Sequence, residues 1–545
     1  MQRVESIGGR GVTRPSLLRS TLSFTGGTFV SRILGLVREI VFSTVFGANA
    51  ATDAFWVAFR IPNFMRRLFA EGSFSTAFVP ALTEVKEKGT PEELRAMISR
   101  VAGTLGGVLL LVTALGMLFA PQVASLFSSS AGGGDQKLAL TTDLLRITFP
   151  FLLFISLTAM SGAVLNTFHR FAIPALTPVI MNVFMIAAAL WWAPHFAVPV
   201  TSMAWAILIA GVVQLLVQLP VLSRLGLLTW PRWGWAYPEV RKVMRLMVPT
   251  LFGASIMQVN LLFDTVIAAK LITGSQSWLT QSDRLLEFPL GMFGVALGTV
   301  ILPSLARHHV NTDHAGFSKA LDWGLRTTLL ISIPAMLGLV LLAHPLIATM
   351  LQYGAYTVHD ANMASLSLAG LSLGLPAFAL VKVLAPAFFA RQDTRTPVRA
   401  GVSAMIANMA LNVLLVGLLF WLWHTPADLD HGLRLALARV PGLHLGVALA
   451  SALASYLNLW LLWSSLRRTG IYDREPGWGR FMLRLACACT AMVVLVLAGL
   501  YLFPDWTVGK FQRIGQLFAL VAGGGTAYVG VLFAMGFRIR DLRGV

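Results

Sequence analysis

Long apolar tracts separated by short polar breaks run through almost the whole chain. The tract VAGTLGGVLLLVTALGMLFAPQVASLF, which begins at Val101, contains no charged residue. About 20 such residues are needed for a helix that hydrogen-bonds its own backbone while it crosses a bilayer. The pattern therefore predicts an all-α polytopic membrane protein.

Polar residues and Pro or Gly breaks divide this pattern into fourteen predicted transmembrane helices, numbered here in chain order. They are expected near residues 22–46, 53–83, 101–127, 139–165, 173–192, 201–222, 246–271, 281–305, 323–350, 361–390, 400–421, 445–465, 485–503 and 514–537. If the amino terminus is cytoplasmic, 27 of the 42 lysines and arginines lie in inner segments and 5 in outer loops. Such a bias sets the orientation of membrane proteins, so both termini are expected in the cytoplasm.

Two pairs of similar segments are separated by the same distance along the chain. LNTFHRFAIPALTPVIMNV resembles FFARQDTRTPVRAGVSAMIANMALNV, with Pro174 matching Pro397. RRLFAEGSFSTAFVPAL resembles DRLLEFPLGMFGVALGTVILPSL, with Pro80 matching Pro303 at the same offset of 223 residues. A duplicated unit of six helices predicts two lobes, an organisation that is typical of transporters.

The repeat divides the chain into four predicted regions. They are a cytoplasmic segment (1–21), an N-lobe of helices 1–6 (22–222), a C-lobe of helices 7–12 (223–465, with a cytoplasmic linker at 223–245), and a final region of helices 13–14 with the cytoplasmic carboxyl terminus (466–545). Helices 13 and 14 have no counterpart in the repeat, so we expect them to be appended to the two lobes.

Composition agrees with the membrane class and locates the charge. Hydrophobic residues make up 56% of the 545 residues, charged residues make up 12%, and the mean hydropathy is +0.73. The net charge of +18 lies mostly in the predicted inner segments, so it indicates topology and attraction to anionic lipid instead of nucleic-acid binding. Cys487 and Cys489 lie in an apolar tract and are expected to be structural, with no metal or disulfide.

Predicted helix 2 carries charges inside an apolar stretch, DAFWVAFRIPNFMRRLFAEGSFSTAFVPAL. At about 100° per residue, several of its polar side chains share one helix face. These residues are Asp53, Arg60, Asn63, Arg67 and Glu71. Pro62 removes a backbone donor at this level and allows the helix to bend.

Arginines outnumber carboxylates within the predicted spans of helices 1, 2 and 8. The arginines are Arg32, Arg38, Arg60, Arg66, Arg67 and Arg284, and the carboxylates are Glu39, Asp53, Glu71, Asp283 and Glu287. Because an arginine at mid-bilayer costs roughly 3 kcal/mol, these side chains are expected to face water or each other. The excess predicts an anion site, since guanidinium binds phosphate through paired hydrogen bonds and stays charged.

Two further interpretations apply to parts of this set. Arg67 with Glu71, and Arg284 with Glu287, have the spacing of ion pairs that stabilise a helix bundle. Separately, Asp264 in helix 7 and Asp393 after helix 10 could contribute to a site for a monovalent cation.

Nucleotide-driven and metal-dependent chemistry has no support in the sequence. There is no G-x-x-x-x-G-K-[ST] phosphate loop, no His-Glu metal helix and no Asp-rich pair for magnesium on a diphosphate. Transport without catalysis is therefore predicted, and an enzyme acting on lipid phosphates is the alternative from another class.

Four segments resemble a known family. SRILGLVRE, GANAATDAFWVAFRIPNFMRRLFAEGSFSTAFVP, DRLLEFPLGMFGVALGTVILPSL and ARQDTRTPV are similar to signature segments of the MurJ/MviN family. This family comprises the lipid II flippases of the multidrug/oligosaccharidyl-lipid/polysaccharide exporter superfamily. The resemblance implies two lobes in a V shape, a groove at helices 13 and 14 for a polyprenyl tail, and export of the undecaprenyl-pyrophosphate-linked peptidoglycan precursor by alternating access.

The charged stripe and the resemblance together imply the roles of individual residues. The expected substrate-binding residues are Ser31, Arg32, Arg38, Arg60, Asn63, Arg66 and Arg284. The expected gating and charge network consists of Glu39, Asp53, Arg67, Glu71, Asp283 and Glu287. Two positions depart from the family, because Glu39 stands where Asp is common and Arg60 where Lys is common.

The resemblance also implies the partners and the location. Lipid II and membrane lipids are the expected partners, without nucleic acid, and the protein is expected to act as a monomer near cell-wall synthesis proteins in the bacterial inner membrane. No cofactor is expected, and coupling to the membrane potential or to a monovalent ion could supply the energy.

Two rival transport functions are distinguished by charge. A drug/proton antiporter would need an acidic cavity, whereas the predicted cavity is basic. An exporter of another polyprenyl-linked oligosaccharide would share the basic cavity and stays the alternative. In a transporter that rocks, the outer ends of helices 1, 2 and 8 are predicted to form an external gate in which Ser43 approaches Ser277.

Overall fold

The structure, a computed structural model, describes residues 17–67, 73–127, 134–291, 295–426, 430, 432–470 and 472–538. Every regular element within these ranges is a helix. The all-α class predicted from the apolar tracts is therefore confirmed for the described part of the chain.

In the described part of the first half of the chain there are nine α-helices. They are α1 (Leu17–Phe46), α2 (Ala50–Arg66), α3 (Ser73–Lys88), α4 (Pro91–Leu118), α5 (Ala120–Leu126), α6 (Gly134–Thr148), α7 (Phe151–Thr167), α8 (Ala172–Ala187) and α9 (Thr201–Arg224). A π-helix (Ala188–Trp192) and a 3-10 turn (Ala193–His195) extend α8.

The second half contributes twelve more. They are α10 (Pro238–Ala269), α11 (Ser275–Pro289), α12 (Val295–Val310), α13 (His314–Leu341), α14 (Ala343–Met350), α15 (Val358–Ser372), α16 (Leu375–Phe389), α17 (Arg395–Trp423), α18 (Leu433–Leu437), α19 (His444–Arg468), α20 (Trp478–Leu502) and α21 (Lys510–Ala534). Each of the fourteen predicted segments thus contains helix, although several are divided into two shorter helices.

Proline and glycine mark two of these divisions. Pro150 precedes α7 and separates it from α6 within predicted helix 4. Gly374 precedes α16, whose first turn holds Pro376, within predicted helix 10. Proline lacks a backbone N–H and clashes with the preceding turn, so it favours the start of a new helix at these points.

Ten helices in the described part of the chain are long and apolar enough to cross a membrane. They match predicted helices 3–6 and 9–14. Predicted helices 1, 2, 7 and 8 carry most of the intramembrane charges.

The chain splits into two compact units. Unit 1 comprises residues 1–38, 65–118 and 146–251, and unit 2 comprises residues 39–64, 119–145 and 252–545. Unit 2 therefore contains the second part of α1 and most of α2 together with all helices from α11 onward.

In unit 1, a tryptophan-rich segment after α9 packs along α4. The Arg232 N–H donates to the Ser99 carbonyl (3.0 Å), and the Gly234 N–H donates to the Thr104 hydroxyl (3.0 Å). Gly103 permits this close approach, because a Cβ there would overlap the Arg232 backbone. The segment is thus fixed to α4 by its own backbone.

In unit 2, α20 and α21 pack against each other and against α13. Their shared core includes Leu485, Met492 and Leu520, all of which are buried. The Tyr528 hydroxyl donates to the Leu330 carbonyl on α13 (2.6 Å). The Arg513 guanidinium donates to the Ala348 carbonyl on α14 (2.8 Å), so both ends of α21 are attached to the preceding bundle.

Candidate functional site

The predicted anion-binding residues of α1 lie in unit 1. Ser31 and Arg32 are half-buried, whereas Arg38 is only 5% exposed. Arg38 Nη1 donates to Asn182 Oδ1 on α8 (3.0 Å), and Asn182 Nδ2 donates to the Ser31 carbonyl (3.2 Å). Asn182 therefore orients Arg38 and links it to the backbone beside Arg32.

Asp53 lies in the first turn of α2 and is buried in unit 2. Its Oδ2 accepts from the Gly274 N–H (2.8 Å), and its Oδ1 accepts from the Ser277 N–H (3.1 Å) and hydroxyl (2.9 Å). Lys137 Nζ lies 3.7 Å from Oδ2. The carboxylate thus occupies the amino end of α11, where unpaired N–H groups and the helix dipole favour negative charge.

Two more hydrogen bonds extend this cluster. The Ser277 hydroxyl donates to the Thr52 hydroxyl (3.1 Å). One turn further along α11, Gln281 Nε2 donates to the Ser43 hydroxyl of α1 (3.0 Å), and Gln281 Oε1 accepts from the Tyr356 hydroxyl (2.6 Å). Ser43 and Ser277 therefore belong to one buried polar cluster. In it, Ser43 is hydrogen-bonded to Gln281, whereas Ser277 is hydrogen-bonded to Thr52 and Asp53.

Arg60, predicted to bind substrate, is held by hydroxyl groups. Its Nη1 donates to Thr265 on α10 (2.6 Å), and its Nη2 donates to Thr280 on α11 (3.2 Å). We name the following set, which is buried except for the half-buried Arg60 and Lys137, the α11 cluster: Ser43, Thr52, Asp53, Arg60, Lys137, Thr265, Gly274, Ser277, Thr280 and Gln281. It joins α1, α2 and α6 to α10 and α11 within unit 2.

The remaining predicted residues of α2 lie at its carboxyl end. Pro62 is inside α2, which continues as helix to Arg66. Asn63, Arg66 and Arg67 are half-buried there. Glu71 lies outside the described residues, so its predicted pairing with Arg67 stays a prediction.

On α11, the predicted residues include an ion pair. Arg284 Nη1 lies 3.2 Å from Glu287 Oε2, at the i, i+3 spacing that the sequence suggested. Asp283 is half-buried on the same helix, and Glu39 of α1 is buried. The ion pair of Arg284 with Glu287, which the sequence spacing allowed, is therefore present in the structure.

Asp264 on α10 accepts hydrogen bonds from neutral polar side chains, and the Arg60 guanidinium lies near enough to interact with it electrostatically. Its Oδ1 accepts from Asn408 Nδ2 (2.9 Å) and Asn412 Nδ2 (2.6 Å), both on α17, and its Oδ2 accepts from the Ser451 hydroxyl on α19 (3.4 Å). The Oδ1 atoms of both asparagines are buried and accept no hydrogen bond from any described residue. We call these four residues the Asp264 cluster.

Asp393, the second candidate carboxylate for a cation, has a local role. It accepts hydrogen bonds from the Thr396 hydroxyl (2.7 Å) and from the Arg395 and Thr396 N–H groups (3.1 Å each) at the start of α17. The Thr396 hydroxyl bond holds the pKa of Asp393 below its ordinary value. Within the described ranges, no three His, Cys, Asp or Glu side chains are grouped as a metal site.

Sequence reasoning missed the neutral members of both clusters. Asn408 and Asn412 could have been identified, because they are spaced i, i+4 within an apolar stretch. A buried amide needs a hydrogen-bond partner, so this spacing indicates a polar contact on one face of the helix. Lys137 gave no such signal, because it precedes predicted helix 4 and was assigned to an outer loop. Asn182 likewise sits alone in an apolar tract.

Comparison with known proteins gives the family. A family model described as "Lipid II flippase MurJ" matches residues 42–516. A probable lipid II flippase MurJ of Vibrio cholerae is 42% identical over 537 residues, covering 97% of this chain and 98% of the relative. A lipid II flippase MurJ of Burkholderia cenocepacia is 39% identical over 539 residues, covering 97% and 99%.

Solved structures agree at the level of fold. A lipid II flippase MurJ in an inward closed conformation superposes with a TM-score of 0.75 at 26% identity, covering 95% of this chain and 99% of that chain. An inward-facing multidrug resistance transporter of the MATE family shares the fold alone, with a TM-score of 0.61 at 13% identity over 83% of this chain and 98% of that chain. The end-to-end match of sequence and fold shows that the chain belongs to the lipid II flippase MurJ family.

Proposed function

We propose that the chain moves lipid II from the inner to the outer leaflet of the bacterial inner membrane. The observation that carries this function is the 42% identity, over 97% of the chain, to a relative named as a probable lipid II flippase. The excess of intramembrane arginine over carboxylate in the sequence supports an anionic cargo. A pyrophosphate-linked lipid supplies such an anion, and no catalytic step on the cargo is required.

The proposed architecture has fourteen spans with both termini in the cytoplasm. It consists of two six-helix lobes followed by the appended pair α20 and α21. Support comes from the helix found in every predicted segment and from the distribution of lysine and arginine between the two sides. The charged helices 1, 2, 7 and 8 would line a water-filled cavity, which accounts for charges that lipid would not tolerate.

Arginines would bind the pyrophosphate in that cavity. The proposed substrate-binding residues are Ser31, Arg32, Arg38, Arg60, Asn63, Arg66 and Arg284, and the proposed charge network is Glu39, Asp53, Arg67, Glu71, Asp283 and Glu287. Guanidinium is suited to this role because it pairs with phosphate oxygens at fixed geometry. The hydrogen bond from Arg38 to Asn182 supports a guanidinium that is positioned before cargo arrives.

The α11 cluster would be the closed external gate. Asp53 compensates the amino end of α11 only while α2 stays beside it, so its hydrogen bonds favour the closed state and must break when the gate opens. Each such charge-assisted bond contributes on the order of 1.5–3 kcal/mol. A gate built from several hydroxyl bonds and one charged group can therefore be stable and still reversible.

The Asp264 cluster is the candidate site for a monovalent cation. A carboxylate, a hydroxyl and two amide oxygens that accept no hydrogen bond from the described residues are hard ligands for such an ion. Because both amides now direct Nδ2 toward Asp264, they would rotate to present their oxygens to the ion. Asp264, Asn408, Asn412 and Ser451 would hold it, and the ion would supply positive charge beside the half-buried carboxylate. Asp393 is left out of this site, because its carboxylate accepts hydrogen bonds from the first residues of α17.

The membrane potential would drive the loaded step. Moving charge outward through an inside-negative membrane is favoured by about 2.3 kcal/mol per anionic charge per 100 mV, or roughly 4.6 kcal/mol for two charges. Collapse of the potential at a constant ion gradient should stop export. Undiminished flipping under that treatment would show that the potential is not the source.

The experiment that tests the function is depletion followed by replacement with variants. Depletion should cause lysis through loss of peptidoglycan, whereas loss of a surface polysaccharide alone would favour another polyprenyl-linked oligosaccharide as cargo. Arg38→Ala and Arg66→Ala should fail to replace the wild-type protein at normal membrane abundance. Arg399→Ala, an exposed arginine in the first turns of α17, is the matched control and should succeed.

A further inference from the structure

A cavity of about 390 Å³ lies between the first part of α13, the start of α20 and the end of α21 in unit 2. Its walls include three arginines and three aromatic side chains. These are Arg326, Arg480, Arg484, Trp323, Phe481 and Phe537. It contains none of the residues proposed for the cargo site, the gate or the cation site.

The cavity has a positive charge that the described residues of its lining neutralise only in part. Arg326 Nε lies 2.6 Å from Asp322 Oδ2, so this guanidinium is paired. Arg480 and Arg484 are one turn apart on α20, and the described residues that line the cavity include no carboxylate. Two guanidinium groups on one helix face therefore lack a negative partner in the lining.

Arg326 is held rigidly against the other wall. It donates to the Pro476 carbonyl (2.9 Å) and lies over the rings of Trp478 and Phe481, at 5.1 and 5.9 Å from their centroids. Asp322 is fixed in turn by the hydroxyl of Tyr472 and the indole N–H of Trp478, both at 2.6 Å. This wall is built before any ligand enters, which reduces the ordering cost of binding.

The cavity lining combines charged and apolar side chains. Phe481 is 8% exposed and Leu330 is 7% exposed, and both line the cavity together with the arginines. Trp323 begins predicted helix 9 and Phe537 ends predicted helix 14, so the arginines lie at the level where a bilayer's phosphates begin. By the proposed orientation this is the cytoplasmic side.

We propose that this cavity binds the phosphate group of an inner-leaflet lipid. Arg480 and Arg484 would bind the phosphate oxygens, Arg326 would add a fixed donor, and the aromatic wall would contact the first part of an acyl or prenyl chain. The proposal depends on the orientation but not on the cargo, because the same chemistry occurs in a membrane phospholipid and in a polyprenyl diphosphate.

The test measures lipid binding to purified full-length protein in phosphatidylcholine nanodiscs. The probes are labelled phosphatidylglycerol and a polyprenyl diphosphate, each titrated into wild-type protein and into the double variant R480A/R484A. Loss of two charge-assisted contacts should weaken binding of at least one probe by about tenfold or more. A loss confined to phosphatidylglycerol assigns the cavity to a membrane phospholipid, and a loss confined to the polyprenyl diphosphate assigns it to that lipid.

The matched control removes two arginines from the same predicted side. Arg467 and Arg468 are exposed at the end of α19, away from the cavity, and R467A/R468A changes the net charge equally. This control should leave both affinities unchanged. Thr327→Trp, which fills the cavity without altering charge, should weaken binding as R480A/R484A does. Unchanged binding of both probes by R480A/R484A, or an equal loss in the control, would overturn the proposal.

Discussion

Two carboxylates of unit 2, Asp53 and Asp264, are surrounded by different kinds of partner. Asp53 accepts backbone and hydroxyl hydrogen bonds at the amino end of α11 and has Lys137 at 3.7 Å. Asp264 accepts from two side-chain amides and a hydroxyl, all of them neutral. A buried carboxylate needs compensating charge or strong hydrogen bonds. Lys137 and the N–H groups of α11 provide this for Asp53, whereas Asp264, which has neutral hydrogen-bond donors and the more distant Arg60, is where we propose that a small cation binds.

The difference teaches how one scaffold uses the same side chain for two tasks. The partners of Asp53 include two backbone N–H groups at the start of α11, which cannot rotate as a side chain does, so these contacts depend on the position of the whole helix. The partners of Asp264 are amide side chains, which can turn their oxygens toward an ion. We therefore infer that Asp53 responds to conformation and Asp264 to ion concentration.

The largest expected effect comes from removing the charge of Asp53. Asp53→Asn keeps the shape but places an amide N–H₂ near donors of α11, so we expect export to fall by about tenfold or more, as the loss of one to two charge-assisted bonds implies. Appearance of lipid II on the outer leaflet measures this. Asp135→Asn, an exposed carboxylate in the first turn of α6, is the control. Wild-type export by the Asp53 variant would separate this residue from the gate.

A second, smaller effect is expected at Asp264. Asp264→Asn should remove the dependence of export on a monovalent cation, because the site loses its only formal negative charge. Export in proteoliposomes would be titrated with sodium chloride against choline chloride. Asp393→Asn, whose carboxylate serves its own helix start, should keep the wild-type response. An unaltered cation response in the Asp264 variant would exclude the cluster as the ion site.

The smallest effect is expected for Lys137, which lies near Asp53 but makes no short contact. Lys137→Met removes the charge and keeps the apolar stem, while Asp53 keeps its hydrogen bonds to Gly274 and Ser277, so we expect export to fall only about two- to fivefold, which corresponds to about 1 kcal/mol. A decline as large as that of Asp53→Asn would mean that the lysine, and not the end of α11, compensates the carboxylate.

The apolar pattern predicted the fold because hydropathy and proline breaks are local properties of the chain. Helices α9, α17, α19, α20 and α21 lie within a few residues of their predicted limits at one or both ends. Family identity was also available, because SRILGLVRE and the long segment at helix 2 are contiguous. These properties require no knowledge of which helices touch.

The contacts of the candidate site could be predicted only in part. Ion pairing of Arg284 with Glu287 depends on helix spacing, and the structure contains it. The hydrogen bond of Arg38 to Asn182 joins residues 144 positions apart, and that of Asp53 to Ser277 joins residues 224 apart. Such partners follow from tertiary packing, so the sequence indicated the charges but not what compensates them.

The central claim is that the α11 cluster is a gate that must open for export. For a crosslink across this cluster, Thr52 and Ser277 are a better pair than the predicted Ser43 and Ser277, because their hydroxyl oxygens are only 3.1 Å apart. Thr52→Cys and Ser277→Cys, in a background with Cys487→Ala and Cys489→Ala, should form a disulfide under oxidation, since such a bond needs Cα atoms within about 7 Å. Oxidised single-cysteine variants are the controls.

Lipid II export would be measured in the same cells before oxidation, after oxidation and after reduction. The account predicts that the crosslink blocks export and that a reductant restores it, while the single-cysteine controls export throughout. Full export by protein in which the crosslink has demonstrably formed would contradict the claim that this gate opens during transport.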